Sequence, residues 1–453
     1  MKKTLFTLCA LGLSLSTYAQ SLLGDWNGTI KLGPNSLPLV FHISSTNGQA
    51  QCLMDSPDQG AKGIPTTVDF LAKDSIAIHI TAIGAAYQGK LNAGIIKGRF
   101  SQNGMQFKLD LKPGDFVRER KQTPKPPFPY PTTEVEFVNP SDQAHLAGTL
   151  TYPITFAMNQ QVPVVLMVTG SGQQNRDEEI MGHKPFAVIA DFLAKMGIAS
   201  LRYDDRGYGK STGDFKNATS HTFMTDALAG INYLKKDKRF NKIGILGHSE
   251  GGLIAFMCAG EATNELDFIV SLAGTAVRGD EILIKQNELL LSAQKVTALY
   301  SDSYSKVLRK VLQHRINRKP VHDAKAIVEQ YLTESKVELP ENLVANLQQV
   351  LTIQNQWMDY MISYDPSAAI SKITCPVMAI NGEKDLQVDA EMNLGALKKT
   401  LKENESHLIK SYPSLNHLFQ HCKTGFVNEY ATSEETISPE VLEDIAQWIL
   451  GLK

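Results

Sequence analysis

The feature that most restricts this sequence is Gly247-His248-Ser249-Glu250-Gly251, set between two apolar runs of different character. Before it, Lys242 to Leu246 reads as a buried strand. After it, Leu253-Ile254-Ala255-Phe256-Met257 reads as a helix. A strand that turns into a helix over so few residues strains the backbone of the central serine and needs glycine where a side chain would collide. Such a turn lifts the Ser249 hydroxyl to the C-terminal edge of a sheet. It also aims the free N–H groups of the following helix at negative charge developing beside it. The pattern predicts an α/β sheet and makes Ser249 the candidate nucleophile.

Context matters, because Gly209-Lys210-Ser211-Thr212-Gly213 has the same G-x-S-x-G spacing. That copy follows Asp204-Asp205-Arg206-Gly207, several residues beyond the nearest strand, and precedes the polar Asp214 to Asn217. It reads as a loop. A phosphate loop fails there too, since G-x-x-x-x-G-K-S requires glycine where Asp204 stands and would repel phosphate.

From about Glu134 onward, apolar segments alternate in strand and helix lengths, the signature of an α/β sheet. Strands are expected at Glu134 to Val138, His145 to Tyr152, Val162 to Val168, Ala199 to Tyr203, Lys242 to Leu246, Phe268 to Leu272, Pro376 to Ile380 and Leu408 to Ser411. Helices fit at Pro185 to Met196 and Phe223 to Lys235. The interval 277–364 holds no good strand and reads as a helical cap. Upstream, alternating segments broken by Gly, Asn, Asp and Pro predict a small all-β domain over 20–114. A proline-dense linker over 115–133 separates it from the catalytic domain, 134–453.

Lys2 and Lys3, the apolar stretch Leu5 to Leu15 and Thr17-Tyr18-Ala19 read as a signal peptide over 1–19. The stretch is short of the ~20 residues that span a bilayer. The expectation is a periplasmic or secreted protein with no stable membrane insertion.

An oxyanion site needs two backbone N–H groups. One would come from Glu250, the other from Thr169-Gly170-Ser171-Gly172-Gln173, which follows the third strand of the sheet. Ser171 is the better placed donor there, with Gln173 as an alternative. For the base and its orienting acid, the order serine, acid, histidine points past the cap. Asp385 lies just after the strand Pro376 to Ile380, and His417 just after Leu408 to Ser411. Asp389 and His421 are the nearest rivals, each further from its strand end. In this scheme Asp385 holds the His417 tautomer while His417 takes and returns the serine proton.

With 45 Lys plus Arg against 47 Asp plus Glu, the formal charge is −2, which gives no global reason to bind nucleic acid. Cys52, Cys258, Cys375 and Cys422 are far apart and form no CxxC pair, so buried free thiols are expected. No HExxH or Cys/His set suggests a metal, and no cofactor is implied.

These residues resemble the α/β-hydrolase superfamily, in particular its exported bacterial carboxylesterases near dienelactone hydrolases and prolyl-oligopeptidase-like enzymes. The resemblance rests on Gly170-Ser171-Gly172 with Arg176-Asp177, Tyr203 to Ser211, Gly247 to Gly252, Gly382 to Val388 and Asn416-His417, and covers residue 134 to the end. It implies action on short-chain acyl esters without a cofactor. One departure is Thr169, where many relatives carry histidine. Two other readings stay open. A serine peptidase could use Glu178 and Glu179 to bind an N-terminal amine. A non-catalytic protein could grip a glycan or partner with the β domain, although Trp26 is that domain's only tryptophan. Oligomeric state is not legible.

Overall fold

The computed structural model describes residues 22–452 apart from 34, 117, 157–160 and 262–265, so the expected signal peptide lies outside the described residues. The chain divides into two compact units at Arg118/Glu119.

The first unit is antiparallel throughout. Its strands are β1 (Gly24–Leu32), β2 (Asn35–Thr46), β3 (Gln49–Ser56), β4 (Ala61–Pro65), β5 (Thr67–Leu71), β6 (Ser75–Ile80), β7 (Ala85–Asn92), β8 (Ile95–Gln102), β9 (Met105–Lys108) and β10 (Lys112–Pro113). They form two five-stranded sheets, ordered β10-β1-β2-β3-β4 and β5-β6-β7-β8-β9. Alternation sets which side faces in: Ile76, Ile78 and Ile80 of β6 are buried while the residues between them are not. Trp26 belongs to this core, 2% exposed, with its indole N–H donating to the Leu22 carbonyl. It is therefore unavailable as a glycan platform.

The second unit carries an eight-stranded sheet. In chain order its elements begin with β11 (Thr132–Val138), β12 (His145–Thr151), β13 (Val162–Val168), α1 (Pro185–Lys195), β14 (Ala199–Tyr203), α2 (Ser220–Lys235), β15 (Phe240–His248), α3 (Glu250–Glu261) and β16 (Phe268–Leu272). A helical excursion follows: α4 (Gly279–Ala293), α5 (Ala298–Ile316), α6 (Ala324–Ser335), α7 (Glu341–Thr352), α8 (Gln356–Ser363) and α9 (Ser367–Ile370). The chain then returns through β17 (Val377–Gly382), α10 (Ala390–Thr400), β18 (Leu408–Tyr412), α11 (Asn428–Thr432) and α12 (Pro439–Gly451).

The sheet order is β11-β12-β14-β13-β15-β16-β17-β18. β12 runs antiparallel to both neighbours, and β13 to β18 are parallel. This is the α/β-hydrolase arrangement. Helices cover both faces, which is why the central strands read as unbroken apolar runs. Along β13, Val164, Leu166 and Val168 join the core that holds residues of α2 and α3, while Val165 and Met167 join the core under α1 and α12.

Helices α4 to α8 close on a hydrophobic core of their own around Tyr304, Val307, Leu308, Val311, Leu347 and Ile362. The proline-dense stretch is docked rather than free at its start: Gln122 bonds Thr436 and Ile437, and the buried Arg120 donates to the carbonyls of Met181 and Ala431. Among the described residues no helix is long and apolar enough to cross a membrane. The cysteines expected to be free are free, with three buried and Cys422 partly exposed.

Candidate active site

Because β13, β15, β17 and β18 are parallel, the segments that follow them all emerge at the same sheet edge. The turn after β15 is the tightest. Ser249 has φ of 54°, the left-handed region that costs a residue bearing a Cβ roughly 1–2 kcal/mol. Packing holds it there: the Ser249 N–H donates to the Leu272 carbonyl at 2.8 Å, and the Gly252 N–H to the Ser249 carbonyl at 2.9 Å. The flanking glycines are a steric necessity. A Cβ on Gly247 would lie 2.0 Å from the Gly251 carbonyl oxygen, and one on Gly251 would lie 2.0 Å from that of Val168.

His417 and Asp385 meet. His417 Nδ1 lies 2.6 Å from Asp385 Oδ2, with side chains 6% and 0% exposed. The other carboxylate oxygen of Asp385 accepts the N–H groups of Gln387 at 2.7 Å and Val388 at 2.9 Å. With an acceptor facing Nδ1, the proton sits on Nδ1 and leaves the Nε2 lone pair free to act as a base. Asn416 shapes the same loop by accepting the N–H groups of Leu418 and Gln420, both at 3.0 Å.

The rival residues are engaged elsewhere. Asp389 caps α10, accepting from the Met392 N–H at 2.8 Å, and His421 pairs on the surface with Glu435 at 2.9 Å. Ser211 is buried, donating to the Asp204 carbonyl and accepting from the Ala147 N–H, so the second G-x-S-x-G is a tied loop.

The loop after β13 reaches the turn. A Cβ on Gly170 would stand 3.3 Å from the Cβ of Ser249, which places Ser171 beside it. The Glu250 N–H belongs to the first turn of α3, where backbone donors have no helical acceptor. Gln173 Nε2 donates to the Arg206 carbonyl. Thr169 donates to Asp205 Oδ1 at 2.8 Å, and Asp205 Oδ2 accepts the Gln174 N–H at 2.7 Å, so the threonine anchors the loop.

Three carboxyl groups surround this region, those of Glu178 and Glu250 buried and that of Asp205 partly buried. Burial pushes Asp205 up to about 7 against the bonds from Gln174 and Thr169, with Glu178 and Glu250 adding to the rise. Burial also raises Glu250, although Ser220, Trp357 and Ser171 bond its carboxyl group. One Glu250 oxygen accepts from Ser220 at 2.6 Å and from the Trp357 indole at 2.7 Å, so α8 is tied to the residue after Ser249. The third is Glu178, paired with His248. Glu179 is exposed and stands 3.4 Å from Lys184. Sequence reasoning weighed Glu178 only as an amine anchor and gave no role to Trp357, Asp205 or the His248 ring. Their partners lie tens of residues away, which no local spacing encodes.

Among known proteins, the chain is 25% identical over 288 residues to Esterase EstD of Thermotoga maritima, a match covering 64% of this chain and 62% of that protein's length. It is 23% identical over 261 residues to the human Monoglyceride lipase, covering 55% of this chain and 80% of that one. Among solved structures, Est1E of Butyrivibrio proteoclasticus with ferulic acid bound is 19% identical with a TM-score of 0.41, covering 70% of this chain and 98% of that one. A likeness at that level carries no argument about this chain. The family model described as X-Pro dipeptidyl-peptidase (S15 family) matches residues 142–411, more than half of the chain, spanning Ser249 and Asp385 and ending before His417. With that match and its sheet order, the chain is an α/β-hydrolase belonging to the X-Pro dipeptidyl-peptidase (S15) family.

Proposed function

We propose that this protein is a serine hydrolase that cleaves carboxylic esters, short-chain acyl esters among them, through an acyl-enzyme. The observation that carries the reading is His417, fixed by Asp385 at 2.6 Å in the loop after β18, on the same sheet edge as the strained Ser249. In the reaction, His417 Nε2 takes the Ser249 proton as the hydroxyl oxygen attacks the acyl carbon. The resulting imidazolium is stabilised by Asp385 and returns its proton to the leaving alcohol. Water then attacks the acyl-enzyme by the same route. The N–H groups of Ser171 and Glu250 stabilise the oxyanion. Mutational loss of one such donor typically costs about 10²–10³-fold in rate.

Ester specificity is favoured by the names of the two relatives, an esterase and a lipase, and by Glu178, whose carboxylate is bonded to His248 and Gly170 rather than left to anchor an amine. The helical excursion, reaching Glu250 through Trp357, supports a cap over the acyl or alcohol pocket. Export to the periplasm or cell exterior, with a β domain and linker ahead of the catalytic domain, completes the proposal. A serine peptidase is the second reading, favoured by the family match.

The deciding experiment compares wild type and Ser249→Ala on p-nitrophenyl esters from acetate to octanoate and on X-Pro and aminoacyl nitroanilides. Ester turnover that disappears in the variant, with negligible anilide cleavage, is expected. Dominant anilide cleavage replaces the esterase by the peptidase, and ester turnover surviving in Ser249→Ala removes the nucleophile assignment.

A further inference from the structure

Transition-state stabilisation and proton transfer come from two loops far apart in sequence, after β13 and after β18. A shift of about 1 Å between them can cost on the order of 100-fold in rate. One buried pair of side chains spans both. Glu178 Oε1 accepts the Gly170 N–H at 2.8 Å and lies 2.9 Å from His248 Nδ1. The opposite ring nitrogen, His248 Nε2, lies 2.9 Å from the carbonyl oxygen of His417. The two imidazole rings are 4.7 Å apart between centroids. The side chains of His248 and Glu178 are 8% and 4% exposed, and Glu178 is held at φ of 53°.

The geometry favours a doubly protonated ring. His248 sits between a carboxylate oxygen and a peptide carbonyl, both acceptors. Neutral imidazole has one N–H and could satisfy one of them, whereas imidazolium donates to both. Burial opposes that charge, but the Glu178 carboxylate, the His417 carbonyl and the Asp385 carboxylate together raise His248 above its ordinary value.

We propose that Glu178 and His248 form a positioning pair, which clasps the oxyanion loop at Gly170 to the backbone of the catalytic base at His417 across the residue preceding Ser249. This rests on the serine-hydrolase reading above. Both side chains are buried, so the pair acts on how well the reacting groups are aligned and not on how tightly substrate binds.

The test uses the full-length protein with Glu178→Gln, His248→Gln and the double variant. Glutamine at 178 keeps an acceptor for Gly170 but removes the charge that holds the His248 ring doubly protonated. The expected result for p-nitrophenyl butyrate, measured below the Tm of each variant, is a 10- to 100-fold loss of kcat with KM within about twofold, in line with other residues that orient catalytic groups from behind. The double variant should be no worse than the poorer single one, because the two act as a unit. Nitrogen-15 NMR of the wild-type ring should show both His248 nitrogens protonated at pH 7.5, and one in Glu178→Gln.

A singly protonated wild-type ring overturns the proposal, and so does an unchanged kcat in the variants. A KM that rises in step with the loss would mean substrate contact, and a lowered Tm with normal kcat would mean a structural pair; either also overturns it. The ring measurement needs no substrate, and the kcat comparison can be run on anilides if esters are not cleaved. Failure of the esterase reading is thereby distinguishable from failure of this one.

Discussion

Replacing Asp385 with asparagine exchanges one carboxylate oxygen for an amide nitrogen, and the surrounding bonds determine which one. The oxygen that accepts from Gln387 and Val388 must remain an acceptor, so the amide nitrogen turns toward His417. An amide N–H facing Nδ1 reverses the tautomer: Nε2 then carries the proton and cannot take one from Ser249. Flipping the amide would restore the tautomer but leave two backbone N–H groups, one buried and one partly buried, facing a donor. At about 1–3 kcal/mol for each unsatisfied group, the flip costs roughly 3 kcal/mol, or about two factors of ten in population at 1.36 kcal/mol per decade. The predicted loss in kcat/KM is therefore at least about 100-fold and extends toward the 10⁴-fold typical of a wrong-tautomer triad. Stability should fall little, since the shape and both backbone bonds persist. Hydrolysis of p-nitrophenyl butyrate at pH 7.5, with thermal melting alongside, measures both. Asp389→Asn is the control, expected within twofold of wild type because Asp389 caps α10. Asp385→Asn retaining more than a tenth of the activity, or Asp389→Asn losing as much, would refute the assignment.

Three further outcomes are expected. Ser249→Gly should abolish ester turnover yet exceed Ser249→Ala in stability by roughly 0.5–1 kcal/mol in urea unfolding, because glycine alone adopts φ of 54° without strain. Burial pushes Asp205 up to about 7 from its ordinary value of 3.8, so between those values the folded state binds more protons. Its contribution makes stability fall as pH rises through that window, with the loss complete above about 7. Asp205→Asn should flatten that fall when unfolding free energies at pH 5 and pH 8 are compared, and an unchanged slope would contradict the assignment. Trp357→Phe removes one of the two side-chain donors at Glu250 Oε1, and should lower stability by about 1–3 kcal/mol while raising KM for longer acyl esters as α8 loosens.

What could be read in advance was whatever repeats locally. The expected strands match β13, β14 and β16 end to end and the other strands of the second unit within two residues, since two-sided burial writes continuous apolar runs into a sequence. The turn at Ser249 was legible for a steric reason, because only glycine fits at 247 and 251. Asp385 and His417 followed from strand ends and chain order, and the structure brings them to hydrogen-bonding distance. Two features stayed hidden. The Glu178–His248 pair links positions 70 apart, and Trp357 reaches Glu250 across 107. A buried ion pair or an indole bond depends on how loops converge in space, and neither leaves a periodic trace. Glu250 was legible as a backbone donor and Asp205 as part of a loop, but the desolvation of their carboxyl groups was not.

The separate hydrophobic core of α4 to α8 has a bearing on how such a protein can diversify. Substitutions around Tyr304, Val307, Leu308, Val311, Leu347 and Ile362 draw on packing among its own helices, whereas Tyr360 of α8 and Ile370 of α9 pack with the cluster that flanks the central strands. The packing of those helices can then drift, or be replaced by laboratory grafting, while the sheet edge that carries Ser249, Asp385 and His417 keeps its geometry. A graft must comply at Tyr360 and Ile370 and at Glu250, where an incoming helix has to supply the donor that Trp357 now provides.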